Sequence, residues 1–266
     1  MIRIIIRYLN AIIFSEKGNF LGLIDIHCHI LAGLDDGTAD DQEILQICRS
    51  AYKAGYTTMV ATPHVLSGAY NNNQERINEA VLKAQQSCDQ EEIYIRILPG
   101  AEYYLDDMFL NLLGEGKCFG LNYGKYLLVE LPMVRLPKMA PEFAFRIRLK
   151  GFIPILAHPE RYADISEDPK KAHDLVDMGY LLQVNLGSFE GLYGRHCTRA
   201  VQYLFNNQLI FAISTDIHTT KYMEIIYEDA LDLCSQSMNQ EDFEILFKKN
   251  PAKVIGLDGF EMGESA

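Results

Sequence analysis

Five of the seven histidines in this chain stand where a short apolar run ends. His27 and His29 close LIDIHCH, with Asp35 and Asp36 just beyond. His64 closes ATPH, His158 opens HPERY, and His218 follows Asp216 in STDIH. Two acids occupy equivalent places: Glu102 in GAE and Glu130 at the end of LLVEL. Imidazole nitrogens and carboxylate oxygens are the donor set of borderline divalent ions such as zinc, manganese or iron. One ion takes about four to six donors. His27, His29, Asp36, His64, Glu102, Glu130, His158, Asp216 and His218 exceed that number, and so imply two or three ions joined by a bridging carboxylate. An HxH or a DxH alone recurs by chance, and a strand-end glutamate can be an ordinary partner of an arginine. The signal is their joint occurrence at equivalent places.

Those places are strand ends. The runs starting at Leu23, Tyr56, Ile93, Tyr126, Phe152, Leu181 and Leu209 are short, apolar on both faces and bounded by Gly, Pro or polar residues, the pattern of parallel strands buried on both sides. Helical stretches separate them: Asp40 to Ala54, with Ile44, Leu45, Ile47, Cys48, Ala51 and Tyr52 on one face, then Gln74–Ser87, Met139–Lys150, Pro169–Met178 and Arg195–Asn206. Strand–helix alternation repeated about seven times gives an α/β barrel or an open doubly wound sheet. In a barrel the C-terminal strand ends converge on one mouth, where active sites are built. No GxGxxG or GxxxxGK[ST] follows the first strand, so the usual nucleotide signatures are missing. His173 and His196 fall within helices and read as surface residues.

Composition narrows the class. The 266 residues carry a formal charge of −12, without a basic cluster, which disfavours a nucleic-acid partner. Bound cations would offset part of that charge. The six cysteines are scattered, with no CxxC, and read as reduced cytoplasmic thiols. Cys28, between two histidines on an extended segment, should point away from them and pack. Residues 1–22 form an N-terminal extension of unassigned role. Its start, MIRIIIRYLNAIIF, is too short and interrupted to span a bilayer, so stable membrane insertion is not expected.

Taken in order, LIDIHCHILAGLDDG, ATPH, GAEYYL, LLVELP, IPILAHPERY, QVNLGSFEGLYG and STDIH resemble the bacterial tyrosine-protein phosphatases of the PHP (polymerase and histidinol phosphatase) superfamily, enzymes associated with capsular and exopolysaccharide synthesis. The resemblance runs from Leu23 to at least His218, and HPERY and LDDG tie it to that branch. It implies a single-domain, distorted TIM-like (β/α)7 barrel over 23–266 with a trinuclear centre. Manganese is the first expectation, with iron or zinc as alternatives. Carried onto this chain, one ion is held by His27, His29, Glu102 and Asp216. Glu102 bridges to a second ion held also by Glu130 and His158, and Asp36, His64 and His218 hold the third. Arg161 matches the arginine that grips the substrate phosphate. The arginine that commonly follows the closing DxH is replaced here by Lys221, which supplies charge without a bidentate fork. The implied substrate is a phosphotyrosyl protein, with a bacterial tyrosine kinase as the partner in that setting.

The chemistry is consistent with this. Paired ions would turn a bridging water into hydroxide and neutralise phosphoryl oxygens, and Arg161 would add charge-assisted hydrogen bonds. A phenolate leaving group, with a pKa near 10, needs little protonation, and Asp36 or a histidine could supply it. No cysteine sits in a CxxxxxR loop, so a phosphocysteine route is not expected. The alternatives are a phosphoesterase of the same scaffold acting on a small phosphate monoester, an amidohydrolase, which would add a strand-end lysine not seen here, and a degenerate barrel kept for binding.

Overall fold

The computed structural model describes residues 22–257, so the expectation for the apolar N-terminal run lies outside the described residues. Among the described residues, nine parallel strands occupy seven barrel positions. They are β1 (Leu23–Cys28), β2 (Tyr56–Ala61), β3 (His64–Val65), β4 (Arg96–Pro99), β5 (Glu102–Tyr104), β6 (Tyr126–Glu130), β7 (Ile153–Ala157), β8 (Leu181–Asn185) and β9 (Ile210–Ser214). Pairing follows β1-β2-β4 and β3-β5-β6-β7-β8-β9.

The second and third apolar runs each break and resume. Thr62–Pro63 separates β2 from β3, where proline cannot donate to the ladder, and Gly100–Ala101 separates β4 from β5. A Cβ on Gly100 would lie 2.7 Å from Leu121 Cδ2 and 2.9 Å from Val60 Cγ1, so only glycine passes there. The short resumed strands pair His64 with Glu102 and Val65 with Tyr103. The third run begins as a strand at Arg96 rather than at Ile93. At the other seam the Asp216 N–H donates to the His27 carbonyl (2.8 Å) and the His29 N–H to that of Ile217 (2.9 Å), joining the end of β1 to the segment after β9.

The strands are buried almost throughout because both faces are covered. Ile24, Ile26, Val60, Leu98, Leu128, Ile155 and Ala212 fill the interior, closed from below by Ala252 and Val254 of a helix at Asn250–Val254 and by Ile255 just after it. A larger apolar layer lies between strands and helices. Helix α1 (Asp41–Lys53) starts at Asp40, whose carboxylate accepts from the Gln42 and Glu43 N–H groups, and buries Ile44, Leu45, Ile47, Cys48 and Ala51. Tyr52, assigned to that face by its spacing, instead lies outside it and meets the Tyr94 ring at 6.0 Å. Helix α2 spans Gln74–Gln90, α3 Asp107–Gly114 and α4 Ala140–Leu149. The stretch expected as one helix over Pro169–Met178 is a tight turn followed by a helix at Ala172–Asp177, while Arg195–Asn206 is helical throughout. His173 and His196 are exposed. Cys28 packs in the outer layer, with its thiol donating to the Val60 carbonyl at 3.3 Å.

Candidate metal centre

All nine candidate ligands reach the same end of the barrel. His27 and His29 leave β1 where its register against β2 shifts between Asp25 and Cys28, an irregularity of the kind that re-aims side chains. His64 and Glu102 start the short strands β3 and β5, and Glu130 ends β6. His158 and Asp216 follow β7 and β9 in left-handed backbone conformations, with φ of 36° and 51°. Such strain in non-glycine residues concentrates at functional sites.

Four donor atoms converge at the centre of the mouth. His27 Nε2 and His29 Nε2 are 3.1 Å apart. Each lies 3.4 Å from Glu102 Oε2, and they stand 3.3 and 3.4 Å from Asp216 Oδ1. Adjacent ligands of one ion bound at about 2.0–2.2 Å are separated by roughly 3–3.5 Å, so His27, His29 and Asp216 fit a shared cation, while Glu102 groups with His27 and His158. Two further groups adjoin it. His158 Nε2 lies 3.2 Å from Glu102 Oε1 and 3.8 Å from Glu130 Oε1. Asp36 Oδ1 lies 3.6 Å from His64 Nε2 and 3.7 Å from His218 Nε2. His64 turns its other nitrogen to Glu102 Oε2 at 2.9 Å. Glu102 thus faces all three groups, as a bridging carboxylate would.

The imidazole tautomers are set from behind. Gln183 Oε1 lies 2.7 Å from His27 Nδ1, and Asp35 Oδ2 lies 2.6 Å from His29 Nδ1. Both oxygens are acceptors, so Nδ1 carries an N–H in each ring and Nε2 is the nitrogen left to meet an ion. Asp35 also accepts from the His64 and Gly37 N–H groups. His218 Nδ1 is 2.9 Å from the Asp216 carbonyl, which leaves its Nε2 toward Asp36. A Cβ on Gly37 would fall 2.1 Å from the His29 carbonyl oxygen, so the LDDG turn needs its glycine.

The electrostatics describe a site short of positive charge. Burial works against protonation of His27, but the Glu102 and Asp216 carboxylates outweigh it and raise its pKa to about 9. His29 moves up as well, burial being overcome by Asp35 and Glu102. Glu130 is driven to about 8 by burial and the neighbouring Glu102 charge. Among the described residues, both Glu102 oxygens are buried and face imidazoles at 2.9 and 3.2 Å without a well-aligned hydrogen bond. Carboxylates that borrow protons from imidazoles in this way are where a cation substitutes for those protons.

At the rim, Arg161 Nη1 donates to Asp216 Oδ2 at 2.7 Å. Asn185 Nδ2 donates to the same oxygen at 2.6 Å. Of these supporting groups, Asp35 lies in LDDG and Gln183 and Asn185 in QVNLGSFEGLYG, but the sequence assigned none of the three a role at the site. The alternation of β8, LLQVN, offers a retrospective signal: Gln183 and Asn185 are polar residues two apart in a buried strand.

Over residues 23–256 the chain matches the family described as capsular polysaccharide synthesis, CpsB/CapC. The chain belongs to this family. It is 32% identical over 219 residues to the tyrosine-protein phosphatase YwqE of Bacillus subtilis, covering 82% of this chain and 86% of that protein. It is 26% identical to the tyrosine-protein phosphatase CpsB of Streptococcus pneumoniae, covering 88% and 98%. Among solved structures, one reported for YwqE and CpsB as metal-dependent tyrosine phosphatases superposes with a TM-score of 0.81 at 30% identity, covering 88% of this chain and 95% of that one. A phosphotriesterase homology protein from Escherichia coli matches with a TM-score of 0.60 at 12% identity, covering 88% and 99%, a likeness of fold alone. The TIM-like barrel implied by the resemblance, one of the two architectures that strand–helix alternation allowed, is therefore the fold of this family and its distant neighbours.

Proposed function

We propose that this protein is a metal-dependent protein-tyrosine phosphatase acting in the control of capsular or exopolysaccharide synthesis. The observation that carries the reading is the convergence of nine imidazole and carboxylate side chains at one mouth, Glu102 among them, with Arg161 at their rim. The ligand assignment is three adjoining sites. His27, His29, Glu102 and Asp216 form the first, Glu102, Glu130 and His158 the second, and Asp36, His64 and His218 the third. Manganese is the expected ion, with iron or zinc as alternatives. When bound, divalent ions supply an activated water and charge neutralisation of the phosphoryl oxygens.

The chain's own groups do the rest. Asp35 and Gln183 hold His29 and His27 in the ligating tautomer. Arg161 is 26% exposed and bonds to Asp216 through one nitrogen, leaving further N–H donors for a phosphate. Asp36 is the most exposed carboxylate of the set, at 57%, and is assigned to proton delivery to the leaving oxygen. A phenolate leaving group makes that help a minor contribution.

The substrate is a phosphotyrosyl protein, and the partner that fits this setting is a bacterial tyrosine kinase. The compartment is the cytoplasm, in keeping with six free, buried cysteines. No helix among the described residues is long and apolar enough to cross a membrane. Turnover of a phosphotyrosyl peptide should exceed that of alkyl monophosphates and vanish on chelation. Preference for a small alkyl phosphate would shift the reading to a phosphoesterase of small monoesters. Activity that survives chelation would end the metal mechanism.

A further inference from the structure

The end of β8 contributes none of the candidate ligands, yet the segment after it approaches the site closely. Tyr193 lies beneath Arg161, with the guanidinium carbon 4.5 Å from the ring centroid. The two residues are also joined through a closed circuit. Arg161 Nη1 and Asn185 Nδ2 both donate to Asp216 Oδ2, at 2.7 and 2.6 Å, and Asn185 Nδ2 lies 3.4 Å from the Tyr193 hydroxyl. A guanidinium carries five N–H donors in one plane. Among the described residues the Arg161 side chain makes no other hydrogen bond than that to Asp216.

One edge of the guanidinium is therefore pinned by Asp216 and one face by an aromatic ring. Burial pushes the Tyr193 phenol up, so it stays neutral at ordinary pH and acts through its ring rather than as an anion. Without the ring, Arg161 would keep one anchoring bond about which its long side chain could swing, and that freedom would be lost on each phosphate binding event.

We propose that Tyr193 is the positioning residue of the phosphate grip, its ring face holding the Arg161 guanidinium in the orientation that meets an incoming phosphate. This rests on the phosphatase reading of Arg161. The ring, not the hydroxyl, carries the effect, so Tyr193→Phe preserves it and Tyr193→Leu removes it.

The test uses the full-length, metal-loaded protein and both variants. Kinetics are measured on p-nitrophenyl phosphate, with inorganic phosphate as competitive inhibitor and metal content by elemental analysis. A desolvated cation–π contact corresponds to roughly a 5- to 30-fold change. Tyr193→Leu should raise KM and the phosphate inhibition constant by that factor, with kcat changed far less and metal content unaltered. Tyr193→Phe should behave as wild type. An unchanged inhibition constant in Tyr193→Leu overturns the inference. So does a Phe variant as impaired as Leu, or a loss of bound metal that accounts for the change. Wild-type protein inactive on the aryl phosphate would instead overturn the phosphatase reading, and calorimetric binding of inorganic phosphate would still compare the two variants.

Discussion

The Asp216 carboxylate is split between two tasks: Oδ2 accepts from Arg161 Nη1 at 2.7 Å, while Oδ1 faces His27 Nε2 at 3.3 Å. The residue that anchors the arginine is thus also a candidate ligand, and the two roles can be separated by substitution. Arg161→Ala should lower kcat/KM by about 10²–10³, the usual effect of removing one aimed donor from a charged transition state, while bound metal stays at the wild-type level. Asp216→Asn should lower both. Elemental analysis beside aryl-phosphate kinetics distinguishes them, and loss of metal in Arg161→Ala would refute the division.

Asp35 and Gln183 never reach the centre of the mouth, yet each fixes an imidazole there. Asp35→Asn or Gln183→Leu should reduce metal affinity or activity by about 10- to 100-fold, the usual cost of losing the group behind a ligating histidine. Metal titration of the chelated protein reads this directly. Wild-type affinity in both variants would mean that the tautomers are held by something else.

Charge shortage at the site also predicts stability. An ion present at about 100 times its dissociation constant stabilises the folded state by about 2.7 kcal/mol. At about 2–4 °C per kcal/mol for a chain of this general size, metal should raise the Tm of the chelated protein by roughly 5–10 °C. If manganese, iron and zinc all leave the melting temperature unmoved, the cluster does not hold an ion.

Asp25 gives a pH signature. It is fully buried, and burial raises its pKa to about 6, against the lowering effect of hydrogen bonds from Thr215 and the His27 N–H. A carboxyl whose folded pKa is raised binds its proton more tightly in the folded state. Its favourable contribution is complete below about pH 4 and is lost as pH rises through 6. The change is about 3 kcal/mol over that window. Asp25→Asn, which cannot ionise, should therefore gain on the wild type between pH 4 and 7. Denaturant titrations of both chelated proteins across that range would detect it, and a pH-independent difference would contradict the burial argument.

The sequence by itself determined the candidate ligand types and an α/β scaffold of parallel strands, barrel or open sheet. Parallel strands apolar on both faces need helices on each side, and a barrel brings their C-terminal ends together, so His27, Glu102, His158 and Asp216 could be placed at one mouth from strand ends alone. What tertiary structure decided was orientation and company. That the resumed strands pair His64 with Glu102, and that Leu121 and Val60 crowd the backbone at Gly100, are long-range facts that no local pattern shows. That Gln183 stands behind His27, 156 residues away, follows from the end of β1 meeting the segment after β9, and that Tyr193 lies beneath Arg161 follows from the pairing of β7 with β8. Candidate metal ligands are legible because few residue types can serve. The groups that hold them are not, because any neutral acceptor or ring at the right point in space will do, and only the fold fixes that point.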